Sequence, residues 1–198
     1  VEPLNQVTQL LHHQRKFGDL LVAILFFFFL FPGFTNESTR PADQITYLSK
    51  YLELFPNLEL AEVLAVIWKE SRCNPTLKFY EATVNDYSYG PMQVRLRTAR
   101  GLGFTGKPKD LLTWEHGLYY GMKYLSFCKT NATKTYLKEN GVLNKHIVRK
   151  RTFASYNAGG VYYKVDDVGE QVYINRDYVL ECDNTYWRHY RYNTLKLR

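Results

Sequence analysis

Apolar positions recur along this chain at two different periods, and one unbroken run stands apart from both. Leu20 to Phe31 is twelve consecutive apolar residues, five of them Phe, ended by Pro32-Gly33. A membrane-spanning helix needs about 17–25 such residues, so the run is short for a span. With Arg15-Lys16 ahead of it, it fits the hydrophobic region of a signal peptide. Gly33-Phe34-Thr35-Asn36 is a poor cleavage site, so an uncleaved anchor that thins the bilayer competes with that reading. A buried core helix is the third reading. Asn36 to Thr39 is a polar linker. The chain therefore divides into an N-terminal segment, residues 1–40, and a second domain, residues 41–198.

In the second domain the helical period takes over. Thr39 and Pro41 suit a helix start, with Ile45, Leu48, Leu52 and Phe55 on one face and Pro56-Asn57 at the end. Leu60, Val63, Leu64, Ile67 and Ser71 define the stripe of the next helix, capped by Asn57 and finished by Pro75. At about 100° per residue, Glu70 lies roughly 80° from the centre of that stripe, at the lip between core and solvent. Residues 77–94 change period. Phe79-Tyr80, Thr83-Val84 and Tyr87, interrupted by Asn85-Asp86, read as short strands with a turn.

Arg97-Thr98-Ala99 then opens a short helix that Gly101 and Gly103 end, and residues 107–110 form a loop. Thr113 caps a helix over Trp114–Lys129, and a short polar helix follows over Asn131–Asn140, stopped by Gly141. Gly117 and Gly121 share one helical face, which predicts close packing against a neighbouring helix. Lys145–Asn157 is helical with Gly159-Gly160 as its stop. Residues 161–169 read as a loop and Asn175–Tyr192 as the last helix, whose tail Tyr186–Tyr192 packs its rings with snorkelling arginines. The predicted class is mainly α (α+β), with one short β-rich stretch set between the helix that carries Glu70 and the helices that follow.

Composition adds two constraints. The net charge is +7, and residues 1–40 balance, so the whole excess belongs to residues 41–198. A basic domain suits an anionic polymer, but also nucleic acid or acidic lipid, so charge alone selects no partner. The basic run His146–Arg151 reads as a solvated face. The 17 Tyr, 12 Phe and 3 Trp suit both a packed core and a cleft lined by amphipathic rings. The three cysteines, Cys73, Cys128 and Cys182, match no metal spacing, and an odd number leaves at least one unpaired. Buried free thiols are the simpler reading, with one disulfide still open. The five histidines form no ligand cluster, so no metal or cofactor is expected.

Candidate chemistry centres on Glu70. A carboxyl at the core–solvent lip is partly desolvated, which raises its pKa and suits a general acid near neutral pH. A solvated Glu in a last helical turn is the plain alternative. Three spaced motifs and a trailing pair decide between them. Glu70-Ser71 with Asn74-Pro75, Gly90-Pro91-Met92-Gln93, Ala154-Ser155-Tyr156-Asn157-Ala158-Gly159 and Tyr178-Val179 stand in order over roughly residues 58–180. This resembles the catalytic domain of lytic transglycosylases of the soluble type, lysozyme-like enzymes that cleave peptidoglycan glycan strands. Pro91 stands where that family usually has Leu, and Ser155 where Ala is common.

The resemblance implies a lysozyme-like fold, a helical bundle around the catalytic helix with a small β flap, and cleavage of the β-1,4 bond between N-acetylmuramic acid and N-acetylglucosamine, leaving 1,6-anhydro-muramic ends. It implies that Glu70 is the catalytic acid and that Gln93 and Asn157 hydrogen-bond the N-acetyl groups. Tyr156 and Tyr178 would orient the acetamido group or Glu70. The backbone around Met92 would line the site, and Ser71 and Ser88 would bond Glu70 or the sugar. Glycosidases normally use two carboxylates. Asp86 and Glu81 both lie on the flap side, Asp86 more simply as a turn residue. A lone acid suffices if the acetamido oxygen of the substrate assists.

Two alternatives stay open. One is a hydrolytic muramidase of the goose-type lysozyme kind. The other is a mainly structural component of a virion or secretion channel that docks on the wall. The expected partners are peptidoglycan strands and, through residues 20–31, a membrane or envelope-spanning assembly, with no nucleic acid required. The expected location is the cell envelope or periplasm, with phage, conjugation and cellular origins all compatible.

Overall fold

A computed structural model describes residues 41–160, 163–169 and 171–195. The apolar run 20–31 and the linker lie outside the described residues. Helix α1 (Pro41–Leu54) buries Leu48 and Tyr51 and leaves its opposite face to solvent. Helix α2 (Leu60–Ser71) carries Glu70 near its C-terminus. It is not the amphipathic helix that its stripe predicts. Every residue from Ala61 to Ile67 is buried, because α6 (Arg176–Leu195), α4 (Trp114–Asn140) and the loops around them enclose two full turns.

One of those buried residues is a carboxylate. Glu62 is 1% exposed, and both its oxygens accept from Lys129 Nζ of α4 at 2.7 Å. Its Oε2 also takes the backbone N–H of Glu59 at 2.9 Å, the reach-back half of a capping box. Asn57 is therefore not the cap. Its side chain bonds α4 instead, donating to the Ser126 carbonyl and accepting from the Ser126 hydroxyl. At the other end Arg72 and Cys73 take left-handed φ values of 49° and 66°, so α2 stops one turn before Pro75.

The flap is a three-stranded antiparallel sheet of β1 (Lys78–Glu81), β2 (Asp86–Tyr89) and β3 (Val94–Arg95). Asn85 supplies the left-handed residue of the β1–β2 turn at φ 50°. Phe79 pairs with Ser88, and Ser88 with Arg95, so those three side chains share one face. Helix α3 (Leu96–Gly101) follows, and a 3-10 turn at Pro108–Leu111 replaces the predicted loop.

Helix α4 runs 27 residues without the break expected near residue 130. Nothing between Gly121 and Gly141 is Gly or Pro, and polarity alone does not end a helix. Gly117 and Gly121 do permit a close approach, but the neighbour is a loop rather than a helix. A Cβ on Gly117 would stand 2.6 Å from Pro91 Cδ, and one on Gly121 would stand 2.5 Å from Met92 Sδ. These glycines seat the loop between β2 and β3 against α4.

Helix α5 (Lys145–Ala158) ends at Gly159, whose φ of 73° is the left-handed stop. The basic run within it is not a solvated face. Arg149 and Arg151 are 5% and 1% exposed. Arg149 Nε donates to Asp183 Oδ1 at 3.0 Å and its guanidinium lies 3.8 Å from the centre of the Tyr186 ring. Arg151 Nη1 donates to Glu139 Oε2 at 2.7 Å, with Tyr136 and Tyr163 against its guanidinium. Burial is tolerated because each cation meets a carboxylate and a ring face. Residues beyond α5 also form a small hairpin, β4 (Tyr163–Val165) and β5 (Gln171–Tyr173), where a loop was expected. Helix α6 then packs along both α2 and α5. Cys73, Cys128 and Cys182 are buried free thiols.

Candidate active site

The last turn of α2 and the last turn of α5 meet at the flap. The left-handed turn at Arg72-Cys73 swings the chain away from α2, which leaves Glu70 half-buried at the wall of a cleft of ≈ 450 Å³. The cleft is also walled by Phe79, Glu81 and Ser88 of the flap, by Arg95, and by Tyr124, Tyr156 and Asn157 of the helical body.

Burial of the Glu70 carboxyl raises its pKa from 4.5 to about 7. The hydrogen bond from Tyr178 and the charge of Lys69 oppose that rise, while the nearby Glu81 carboxylate adds to it. Tyr178 Oη donates to Glu70 Oε1 at 2.6 Å. Burial, with Glu70 next in importance, holds the Tyr178 hydroxyl well above its ordinary pKa, so it stays a donor. The result is an acid close to half-protonated at neutral pH, held by one fixed hydrogen bond.

The eight residues that the resemblance singles out fall into two groups. Glu70, Ser88, Gln93, Tyr156 and Asn157 line the cleft. Ser71, Met92 and Tyr178 stand behind it. Ser71 does not face Glu70 or the cleft. Its buried hydroxyl donates to the carbonyls of Pro91, at 2.8 Å, and Ile67, at 3.2 Å, and so ties α2 to the flap loop. Met92 is fully buried against Gly121, and its carbonyl accepts from Tyr156 Oη at 2.7 Å. Thus the serine and the methionine position the loop that the tyrosine holds.

Gln93 is only in part available to a ligand. Its Nε2 donates to the carbonyls of Gly90 and Leu77 at 2.7 and 3.0 Å, and its Oε1 accepts from Ser88 Oγ at 2.9 Å. Both donors are spent on bracing the flap, and one Oε1 lone pair remains. Gln93 adopts φ 47° to do so. Asn157 is exposed. Its Oδ1 accepts from Asn175 Nδ2 at 3.0 Å, while its own NH₂ makes no hydrogen bond among the described residues.

Of the two flap carboxylates, Glu81 lines the cleft, whereas Asp86 does not. Asp86 Oδ1 accepts the Tyr87 N–H at 2.7 Å, in keeping with a turn residue. Phe79, Arg95, Thr98 and Tyr124 also line the cleft, and none is marked by a motif. Strand alternation signals Phe79, which shares the Glu81 face of β1. Arg95 is reached only through the pairing of β3, a strand too short to read from hydropathy. Among the described residues no group of three or more His, Cys, Asp or Glu is placed to hold a metal.

The Tyr178–Glu70 bond has a measurable consequence. Its donor favours the charged carboxylate, so Tyr178→Phe moves the Glu70 pKa further up. The alkaline limb of the activity profile is expected to shift upward by up to about one pH unit, with kcat down about tenfold from lost positioning. A kcat–pH profile of the variant that superimposes on the wild type would show that the bond carries no function.

A family model described as Transglycosylase SLT domain matches residues 48–173, from within α1 to the end of β5. No curated protein matches the chain. The matched span contains α2 with Glu70, the whole flap, and Tyr156-Asn157. With that match over more than half its length and a mainly helical body around a small flap, the chain belongs to the transglycosylase SLT family, and residues 48–173 are its lytic transglycosylase catalytic domain.

Proposed function

We propose that the protein cleaves the β-1,4 bond between N-acetylmuramic acid and N-acetylglucosamine and closes a 1,6-anhydro ring on the muramic unit, with Glu70 as acid and then base. The observation that carries this reading is the Glu70 carboxyl, with its pKa near 7 on a cleft wall and its Tyr178 hydrogen bond. A group of that pKa gives and takes a proton with little penalty in either direction. Protonated Glu70 delivers its proton to the glycosidic oxygen as the C1–O bond breaks. The acetamido oxygen of the same muramic unit attacks C1 from the other face. Glu70, now a carboxylate, takes the proton of the C6 hydroxyl, whose oxygen displaces the acetamido oxygen at C1. The enzyme ends as it began, and no water is consumed. Asn157, with its free NH₂, and the remaining lone pair of Gln93 are the groups suited to the N-acetyl substituents.

Glu81 favours a second reading. It places another carboxylate in the same cleft, as a hydrolytic muramidase would require. Product mass separates the two, because anhydro ends are lighter than hydrolysed ends by one water. On digestion of purified peptidoglycan, anhydro products are expected. The flap carboxylate supplies a second check. Glu81→Gln should keep more than about a tenth of kcat/KM, a loss below ~1.4 kcal/mol in transition-state stabilisation. A loss as deep as that of a Glu70 variant, with hydrolysed products, assigns Glu81 the role of base and replaces the anhydro route.

We further propose that residues 1–40 tether this domain at the cell envelope. The support is the apolar run 20–31 behind two cations, since twelve such residues do not stay exposed in water. Residues 41–198 expressed alone should remain in the soluble fraction and digest isolated wall material, whereas the full chain should sediment with membranes. A full chain that is monomeric without detergent, or a shortened one that fails to fold, would instead place residues 20–31 against the domain.

A further inference from the structure

The flap presents a transverse row of three side chains to the cleft: the Phe79 ring, the Ser88 hydroxyl and the Arg95 guanidinium. The middle member is bonded to Gln93. The outer two are not used in that way. Phe79 is 58% exposed, and Arg95, half-buried at the cleft wall, forms no ion pair or side-chain hydrogen bond among the described residues. Arg97, Arg176 and Arg188 also lack such bonds among the described residues, but they are exposed, whereas Arg95 is half-buried. Arg72, Arg100, Arg149 and Arg151 are each fastened to a carboxylate or to backbone carbonyls. Glu81 stands in the same cleft, yet no ion pair joins it to Arg95.

A guanidinium with five unspent donors in a partly dry cleft is suited to a carboxylate brought in by a ligand. We infer that Arg95 recognises a carboxylate carried on the muramic substituent of the glycan strand, and so makes this cleft selective for anionic strands over neutral ones. The inference rests on the proposed peptidoglycan function and names the part of the substrate that the flap reads. Two sources supply that chemistry: a carboxylate of the stem peptide, and the lactyl carboxylate left bare when the peptide is removed. Neutral N-acetylglucosamine oligomers carry neither. Phe79, one register step beyond Ser88, offers its ring to the apolar face of a sugar in the same row.

The test is binding, measured by calorimetry on the full chain carrying Glu70→Gln, so that ligands are not consumed. The probes are a peptide-bearing glycan fragment, the same fragment stripped of peptide, and an N-acetylglucosamine oligomer of equal length. Adding Arg95→Gln should weaken at least one anionic fragment by about tenfold or more and leave the neutral oligomer within about twofold. Loss confined to the peptide-bearing fragment identifies the stem peptide as the source, loss confined to the stripped fragment identifies the lactyl group, and loss on both shows that Arg95 takes either carboxylate. Arg95→Lys should recover part of the affinity, since a point charge replaces the planar fork. Equal losses on anionic and neutral probes, or no loss on either, overturn the inference.

Should Arg95→Gln fail to fold, salt decides on the chain that keeps Arg95. Binding of an anionic fragment should fall as ionic strength rises while that of the neutral oligomer holds, and identical responses overturn the inference. If none of the three probes binds to the Glu70→Gln chain, it is the peptidoglycan function that fails, a result distinct from any failure of Arg95.

Discussion

Glu70→Gln is expected to abolish cleavage while leaving the domain folded. Amide and carboxyl are nearly isosteric, and the Tyr178 hydroxyl can still donate to the amide oxygen. The lost proton donor should cost at least the ~10²–10⁴ in kcat that general acid–base catalysis typically contributes. The same substitution should also change stability, in a direction that only an acid with a raised pKa explains. The folded chain holds a proton on Glu70 up to a pH of about 7, whereas the unfolded chain releases it near 4.5. The folded state therefore binds the extra proton in between, and stability falls as pH rises through that window.

The full cost at pH 8 is up to about 3 kcal/mol, from the difference between those two values. Glutamine does not titrate, so the variant should be more stable than the wild type at pH 8 and close to it at pH 4. Denaturant melts at the two pH values measure this, beside an assay on purified wall material. Near-normal activity in the variant would remove Glu70 from the mechanism. Melts that shift equally at both pH values would mean that its pKa is not raised.

The largest expected loss of stability lies away from the cleft. Lys129→Ala leaves the Glu62 carboxylate, 1% exposed, without the ammonium that satisfies both its oxygens. Breaking one side of a buried pair typically costs about 3–5 kcal/mol. Burial already raises the Glu62 pKa, against the opposing pull of Lys129. Without the lysine it moves higher, and the carboxyl meets the cost by taking up a proton. The defect should thus be largest at alkaline pH and shrink as pH falls. Replacing both residues by Met should recover most of the stability, because apolar side chains of similar volume need no partner. Denaturant midpoints for the single and double variants settle it, and a Lys129→Ala chain within about 1 kcal/mol of wild type at neutral pH would rule out a dry Glu62. The pair joins α2 to α4 two turns before Glu70, so the single variant should also lose activity on loosening that helix.

Features that depend on a few neighbouring residues could be read directly from the chain. Thr113 accepts from the His116 N–H, and Gly141 and Gly159 stop their helices with positive φ. The Asn85 turn between two short strands follows from the same local chemistry, since a left-handed residue is needed there and Asn tolerates it. The spacing of the Glu70, Gln93 and Tyr156 motifs was equally visible, and the family resemblance it carries implied a flap beside a helical body.

Burial could not be read in this way, because it depends on which distant segment covers a residue. Glu62 looks like a solvated helix position until Lys129, 67 residues away, closes over it. Arg149 and Arg151 look like a basic surface until Asp183, Glu139 and three tyrosine rings are folded around them. The same holds within the site. The stripe of α2 already turns Ser71 to the core, about one 100° helical step from Glu70, but its partner, the Pro91 carbonyl, arrives only with the flap loop. Tyr178 is 108 residues from Glu70 and is brought to 2.6 Å by the packing of α6 along α2. Arg95 enters the cleft through the register of a two-residue strand. Capping, turns and periodicity are energies of adjacent residues and are written in the local order of the chain. The pKa of Glu70 and the partners of its cleft are energies of enclosure, which exist only after remote segments have excluded the water between them.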